Sequence, residues 1–141
     1  MWTLFIDETG TFRDAGRLSA VVGWLMPGSP SDRGQLALQR RLRSLFEGCS
    51  WPPHATELRL PVAHGIQALQ ASGPVSPELR ALAEAARGPL RALSGGSRLT
   101  TRDNPKGLRK LDARLLASHP ALHARLQGLQ DQRESGMAEL L

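Results

Sequence analysis

The chain has 141 residues, 40% of them hydrophobic, and 18 Arg and Lys against 13 Asp and Glu give a formal charge of +5. A single cysteine, Cys49, excludes an intrachain disulfide and a cysteine-based zinc site, and three Trp, three Phe and no Tyr argue against base stacking as a main mode of recognition. The length suits one domain over 1–141, with 1–70 as a strand hairpin plus helices and 71–141 as a basic helical part. No stretch approaches the ~18–20 apolar residues of a membrane span, and Asp7 and Glu8 interrupt the N-terminal apolar run, so no membrane contact and a cytoplasmic bacterial protein are expected.

Trp2 to Asp7 reads as a first strand, with Leu4 and Ile6 on one face and Thr3, Phe5 and Asp7 on the other. A polar loop, Glu8 to Arg17, leads to a second, nearly continuous apolar strand, Leu18 to Met26, and the two should pair as an antiparallel hairpin. Ser29 or Ser31 then caps a helix running to about Glu47, with Leu38, Leu42, Leu45 and Phe46 on one stripe. Gly48 stops it, and Trp51-Pro52-Pro53 is an extended linker. Leu58, Val62, Ile66 and Leu69 are spaced for a helix that begins near Glu57 and ends at Ser72-Gly73-Pro74.

Ser76-Pro77 opens the next helix, whose apolar face is Leu79, Leu82, Ala86, Leu90 and Leu93 and which Gly88-Pro89 kinks or ends. Arg98 to Thr101 reads as a short strand. Asp103-Asn104-Pro105 caps a helix with Leu108, Leu111, Leu115 and Leu116 inward, Pro120 breaks it, and Leu122, Leu126 and Leu129 mark a last helix before a tail of little pattern. Two strands alone make a marginal sheet, so either helices cover it closely or further strands come from a protein partner, a second copy or sequence beyond Leu141.

Adjacent on an extended segment, Asp7 and Glu8 point to opposite faces and form no paired site by themselves. Glu57, after the double proline and beside His54, is the best second acid. Asp7 and Glu57 together would hold Mg²⁺ or Mn²⁺, which take oxygen ligands and keep several waters, for water activation and phosphodiester cleavage. The plainer alternative is that Asp7 and Glu8 cap the Gly10 turn and Glu57 is a first-turn acid favoured by the helix dipole. His54 and His64 read as surface residues and the His119/His123 spacing as coincidence; Asp103 and Asp112 are candidate third acids, Asp103 reading rather as a cap before Asn104-Pro105. Residues 61–141 hold eleven Arg and Lys against seven acids, a basic half suited to a polyanion.

The opening LFIDETGTF, followed by the apolar strand VVGWLM, resembles the start of the bacterial family known as domain of unknown function 3800, with Asp7-Glu8-Thr9-Gly10 as its first motif and His54-Ala55-Thr56-Glu57-Leu58 where its Glu-centred motif falls. The resemblance covers about residues 2–70. It implies an α/β fold of ribonuclease H-like type, with a small antiparallel N-terminal sheet, incomplete on this chain after residue 70. It also implies a metal-dependent nuclease, with a place in phage defence or mobile-element biology. Asp7 and Glu57 would be metal ligands, Glu8 a supporting catalytic acid, and Arg13, Arg17 and Arg59 contacts to nucleic-acid phosphates. The competing expectation is a non-catalytic module that binds nucleic acid or protein through its basic helical half.

Overall fold

The structure, a computed structural model, describes residues 2–9, 20–27, 33–51, 53, 57–102 and 104–140. Strand β1 (Trp2–Thr9) pairs antiparallel with β2 (Ala20–Pro27), Trp2 opposite Pro27 and Thr9 opposite Ala20. Five helices follow: α1 (Arg33–Leu45), α2 (Pro61–Gln70), α3 (Pro77–Ser94), α4 (Pro105–Ser118) and α5 (Pro120–Leu140). The chain forms two compact units, Met1–Arg41 and Leu42–Leu141, whose boundary falls within α1.

The α/β ribonuclease H-like fold expected from the sequence is overturned. Among the described residues the two strands pair only with each other, and 42–141 is helical with no strand. The buried core cluster of that unit comes from the helices, with Leu60 and Leu99 packed against it: Val62, Ala63 and Ile66 of α2, Leu82, Ala86 and Leu90 of α3, Leu108 and Leu115 of α4, and Leu122 and Leu126 of α5. Arg98 to Thr101 is extended but is no strand. Side chains hold it instead, Gln70 Nε2 donating to the Leu99 carbonyl at 2.8 Å.

Proline sets the helix starts. Pro61, Pro77, Pro105 and Pro120 each occupy the first position of a helix, where a missing N–H costs nothing and φ is already helical. Thus α2 begins at Pro61, not at Glu57, and Pro120 opens α5 rather than merely ending α4. Pro89 lies inside α3, which runs on to Ser94 and closes on Gly95 at φ 59°. Asn104 caps α4, its Oδ1 accepting from Gly107 N at 2.8 Å. Leu116, expected inward, is 52% exposed.

The centre of the unit is α2. Pro61 to Ala68 are all buried, so this helix is covered on every side. It has no side-chain cap of its own and no acid in its first turn. Asp112 of α4 supplies both: its Oδ1 accepts from Val62 N at 3.0 Å, and its Oδ2 lies 3.1 Å from His123 Nε2 of α5. One carboxylate thereby joins three helices and places a negative charge at the positive end of α2.

His64 is 2% exposed, where the sequence suggested a surface residue. Its Nε2 donates to the Leu58 carbonyl at 3.0 Å, and its Nδ1 accepts from Arg133 of α5 at 2.8 Å. Arg133, itself 3% exposed, also donates to the Leu45 carbonyl at 3.1 Å and the Glu47 carbonyl at 2.6 Å. These are orphan acceptors at the C-terminal end of α1. Beneath the same turn Leu45 covers Gly136 of α5, where a Cβ would meet Leu45 Cδ1 at 2.5 Å. Gly48 ends the turn at φ +79°, with Leu79 Cδ2 only 2.8 Å from the place a Cβ would take.

Burial, and secondarily the charge of Arg133, pushes the His64 pKa down to about 4. The Leu58 carbonyl takes the Nε2 proton and by itself favours the charged ring, but the guanidinium needs Nδ1 as an acceptor and so leaves room only for the neutral one. The folded state therefore resists a proton that the unfolded chain accepts near 6.5. The stability due to neutral His64 is complete above that value and is lost as pH falls toward 4, a difference of about 3 kcal/mol. Urea titrations between pH 7.5 and 4 should show this fall, and His64→Gln should flatten it. In the same assay Asp112→Ala should cost about 2 kcal/mol, while Asp112→Asn, which keeps an acceptor for Val62 N, should cost clearly less.

Candidate functional site

Glu57 is 7% exposed and lies ahead of α2. Its Oε1 takes the Nε of Arg102 at 2.5 Å, and the Thr101 hydroxyl lies 3.5 Å from its Oε2. Thr101 Oγ1 also accepts from Gln67 Nε2 at 2.9 Å, and Gln67 Oε1 accepts from Ser50 N at 3.0 Å. A chain of hydrogen bonds thus crosses from the turn after α1, through α2, to the extended segment after α3. Arg102 is 64% exposed and carries the ion pair to the surface, whereas the Glu57 side chain is 9% exposed.

These residues wall an open cleft of about 370 Å³. One side is the Gly48–Ser50 turn, another the end of α2 with Gln67, Gln70 and Ser72, and the third the segment Arg98 to Arg102. Cys49 is half-buried at its edge, and burial pushes its thiol pKa up, against the opposing pull of Arg133. The thiol stays protonated at neutral pH and is no activated nucleophile.

The residues singled out by sequence fall in different places. Asp7 and Glu8 stand on β1 opposite Val22 and Val21, in the first unit. Glu57 and Arg59 belong to the second unit, Arg59 exposed and its carbonyl accepting from Gln130 Nε2 at 3.4 Å. Arg13, Arg17, His54 and Asp103 lie outside the described residues. Among the described residues no group of three His, Cys, Asp or Glu side chains is placed to hold a metal ion. In the second unit the Glu57 oxygens face a guanidinium and a hydroxyl. His123 is bound to Asp112 and His119 is exposed, so their helical spacing serves packing.

Asp112 and Arg133 are the side chains whose roles sequence reasoning missed. An inward acid on a helix otherwise studded with cations was the only available signal for Asp112.

No family model matches the chain, and neither a curated protein nor a solved structure does. No described helix is long and apolar enough to cross a membrane.

If Glu57 serves as a latch for Arg102, the amide should replace it with little loss. Glu57→Gln keeps an acceptor for Arg102 and should change stability by less than ~1 kcal/mol. Arg102→Ala leaves a buried carboxylate without its cation; because the pair is partly exposed and screened, the loss should be about 1 kcal/mol. Denaturant melts of the two variants at neutral pH check both values.

Proposed function

We propose that the chain is a non-catalytic nucleic-acid-binding module that takes a phosphate backbone on the outer face of α4. The observation that carries this reading is the division of charge on that helix. Its only acid, Asp112, is turned inward to Val62 and His123, while Lys106, Arg109 and Lys110 are exposed. Spaced three and four apart, the three cations share one side of the helix. Arg114, the fourth, is exposed but gives Nη1 to the Leu93 carbonyl at 3.1 Å.

The same division runs through the unit. Among the described residues of 42–141, every Arg and Lys except Arg133 is exposed, whereas Glu47, Glu57 and Asp112 are turned to internal partners. Glu78, Glu84, Asp131, Glu134 and Glu139 are exposed as well, so the described surface of the unit carries twelve cations against five acids and is basic. Cations on a helix face neutralise phosphates and release counterions, a mode that needs no base contact and suits a chain poor in aromatics.

Binding of a duplex oligonucleotide, followed by anisotropy across a salt series, tests this. Each phosphate contact contributes about 0.9 to the slope of log K against log salt. Replacing Lys106, Arg109 and Lys110 together by Gln should lower the slope by roughly two to three and weaken binding at every sequence. Replacing Arg80 and Arg125 should leave the slope nearly unchanged. An unaltered slope in the α4 variant removes this face from the reading.

A second reading rests on the opening strand. Asp7 and Glu8 stand within three residues of the end of β1, as the resemblance to domain of unknown function 3800 implies for a nuclease. It predicts Mg²⁺-dependent cleavage of nucleic acid that Asp7→Asn abolishes with folding retained. Binding without cleavage at any Mg²⁺ concentration leaves only the first reading.

A further inference from the structure

The cleft between the Gly48–Ser50 turn, the end of α2 and the Arg98–Arg102 segment plays no part in the α4 reading, yet it is a formed site. At about 370 Å³ it lies within the ~300–1,000 Å³ typical of small-molecule pockets. Its walls are set by side-chain bonds rather than by a sheet. Gln70 holds the Leu99 carbonyl, Gln67 holds Thr101, and Glu57 holds Arg102, so the extended segment is pinned at three of its last four residues. Within the segment Thr100 Oγ1 accepts from Arg102 N at 3.3 Å. A segment fixed in this way presents its side chains in one arrangement before any ligand arrives.

The lining selects the chemistry. Among the described residues Glu57 is the only carboxylate of the lining, and Arg102 answers that charge, which leaves Arg98 as the second cation of the lining. The hydroxyls of Ser50, Ser72 and Thr100 stand around the same opening. An apolar ligand finds too little apolar wall, and a cation meets arginine. A guanidinium with surrounding hydroxyl donors suits a compact anion with several acceptor oxygens. We infer that this cleft binds a small phosphate-bearing ligand, with Arg98 as its principal contact and Glu57 as the positioning residue that keeps the Arg98–Arg102 segment in place.

The test is calorimetric titration of the full chain with pyrophosphate and with adenosine monophosphate, adenosine being the unphosphorylated control. One equivalent should bind for each phosphate compound and none for adenosine. Arg98→Glu should weaken binding at least tenfold, about 1.4 kcal/mol, with an unchanged circular dichroism spectrum. Amide shifts in the wild-type chain should move at Gly48–Ser50, Gln70–Ser72 and Arg98–Arg102, a measurement that depends on no variant. The triple Gln variant of Lys106, Arg109 and Lys110 should bind pyrophosphate as the wild type does, so failure of the α4 face leaves this site untouched. Adenosine binding as tightly as its monophosphate, shifts spread over α4, or equal loss in the Arg98 and α4 variants would overturn the inference.

Discussion

The guanidinium of Arg133 is the interaction on which the helical unit most depends. A buried arginine is tolerable only if its donors find acceptors, and here the acceptors are two carbonyls at the end of α1 and one ring nitrogen of His64. Each partner would be costly to leave unpaired, so the arrangement is mutual: α5 closes α1, and the histidine of α2 is fixed in one tautomer between Arg133 and Leu58. The charge is eased by the Phe46 ring, whose centroid lies 5.9 Å from the guanidinium carbon. Among the described residues, none of the ion pairs involves Arg133.

The same solution recurs at the other helix ends. Asp112 caps the start of α2 from α4, the carboxylate of Glu47 accepts from Ser76 N at the start of α3, and Arg114 of α4 meets the Leu93 carbonyl near the end of α3. Capping residues usually come from the helix they serve or its flanks. α3 and α4 also carry N-caps of their own, Ser76 and Asn104, but the start of α2 and the end of α1 are satisfied by side chains only when the helices pack together. That property ties secondary structure to the assembled core of Val62, Ile66, Leu90, Leu115 and Leu126.

Internal use of carboxylates has a consequence outside. Each acid turned inward leaves the cations on the surface without a local counterweight, most clearly on α4, where Asp112 faces α2 and only Lys and Arg face solvent among its charged residues. Structure and surface potential are thereby coupled: the residues that hold the unit together are the ones that make it basic. Glu57 follows the same pattern. Its carboxylate anchors Arg102 and helps shape the polar cleft.

Much of the helical skeleton was legible in the chain itself. Leucine spacing marked the helices, and Pro77 and Pro105 marked the starts of two of them, because a proline at the first helical position and an apolar stripe are local consequences of backbone geometry, whereas Pro61 and Pro120 open helices that the sequence pattern placed differently. The extended look of Arg98 to Thr101 and the family resemblance pointed to an α/β sheet that the helical unit does not contain. Local pattern cannot tell a strand from an extended segment held by glutamines. The decisive side chains were harder still. His64 and Arg133 are 69 residues apart, Asp112 and Val62 50, and Glu57 and Arg102 45. Composition and periodicity determined that this chain would be basic, aromatic-poor and largely helical. Only the tertiary structure decided which of its charges face inward, because burial of a polar group is settled by whether a partner from elsewhere in the chain arrives to meet it.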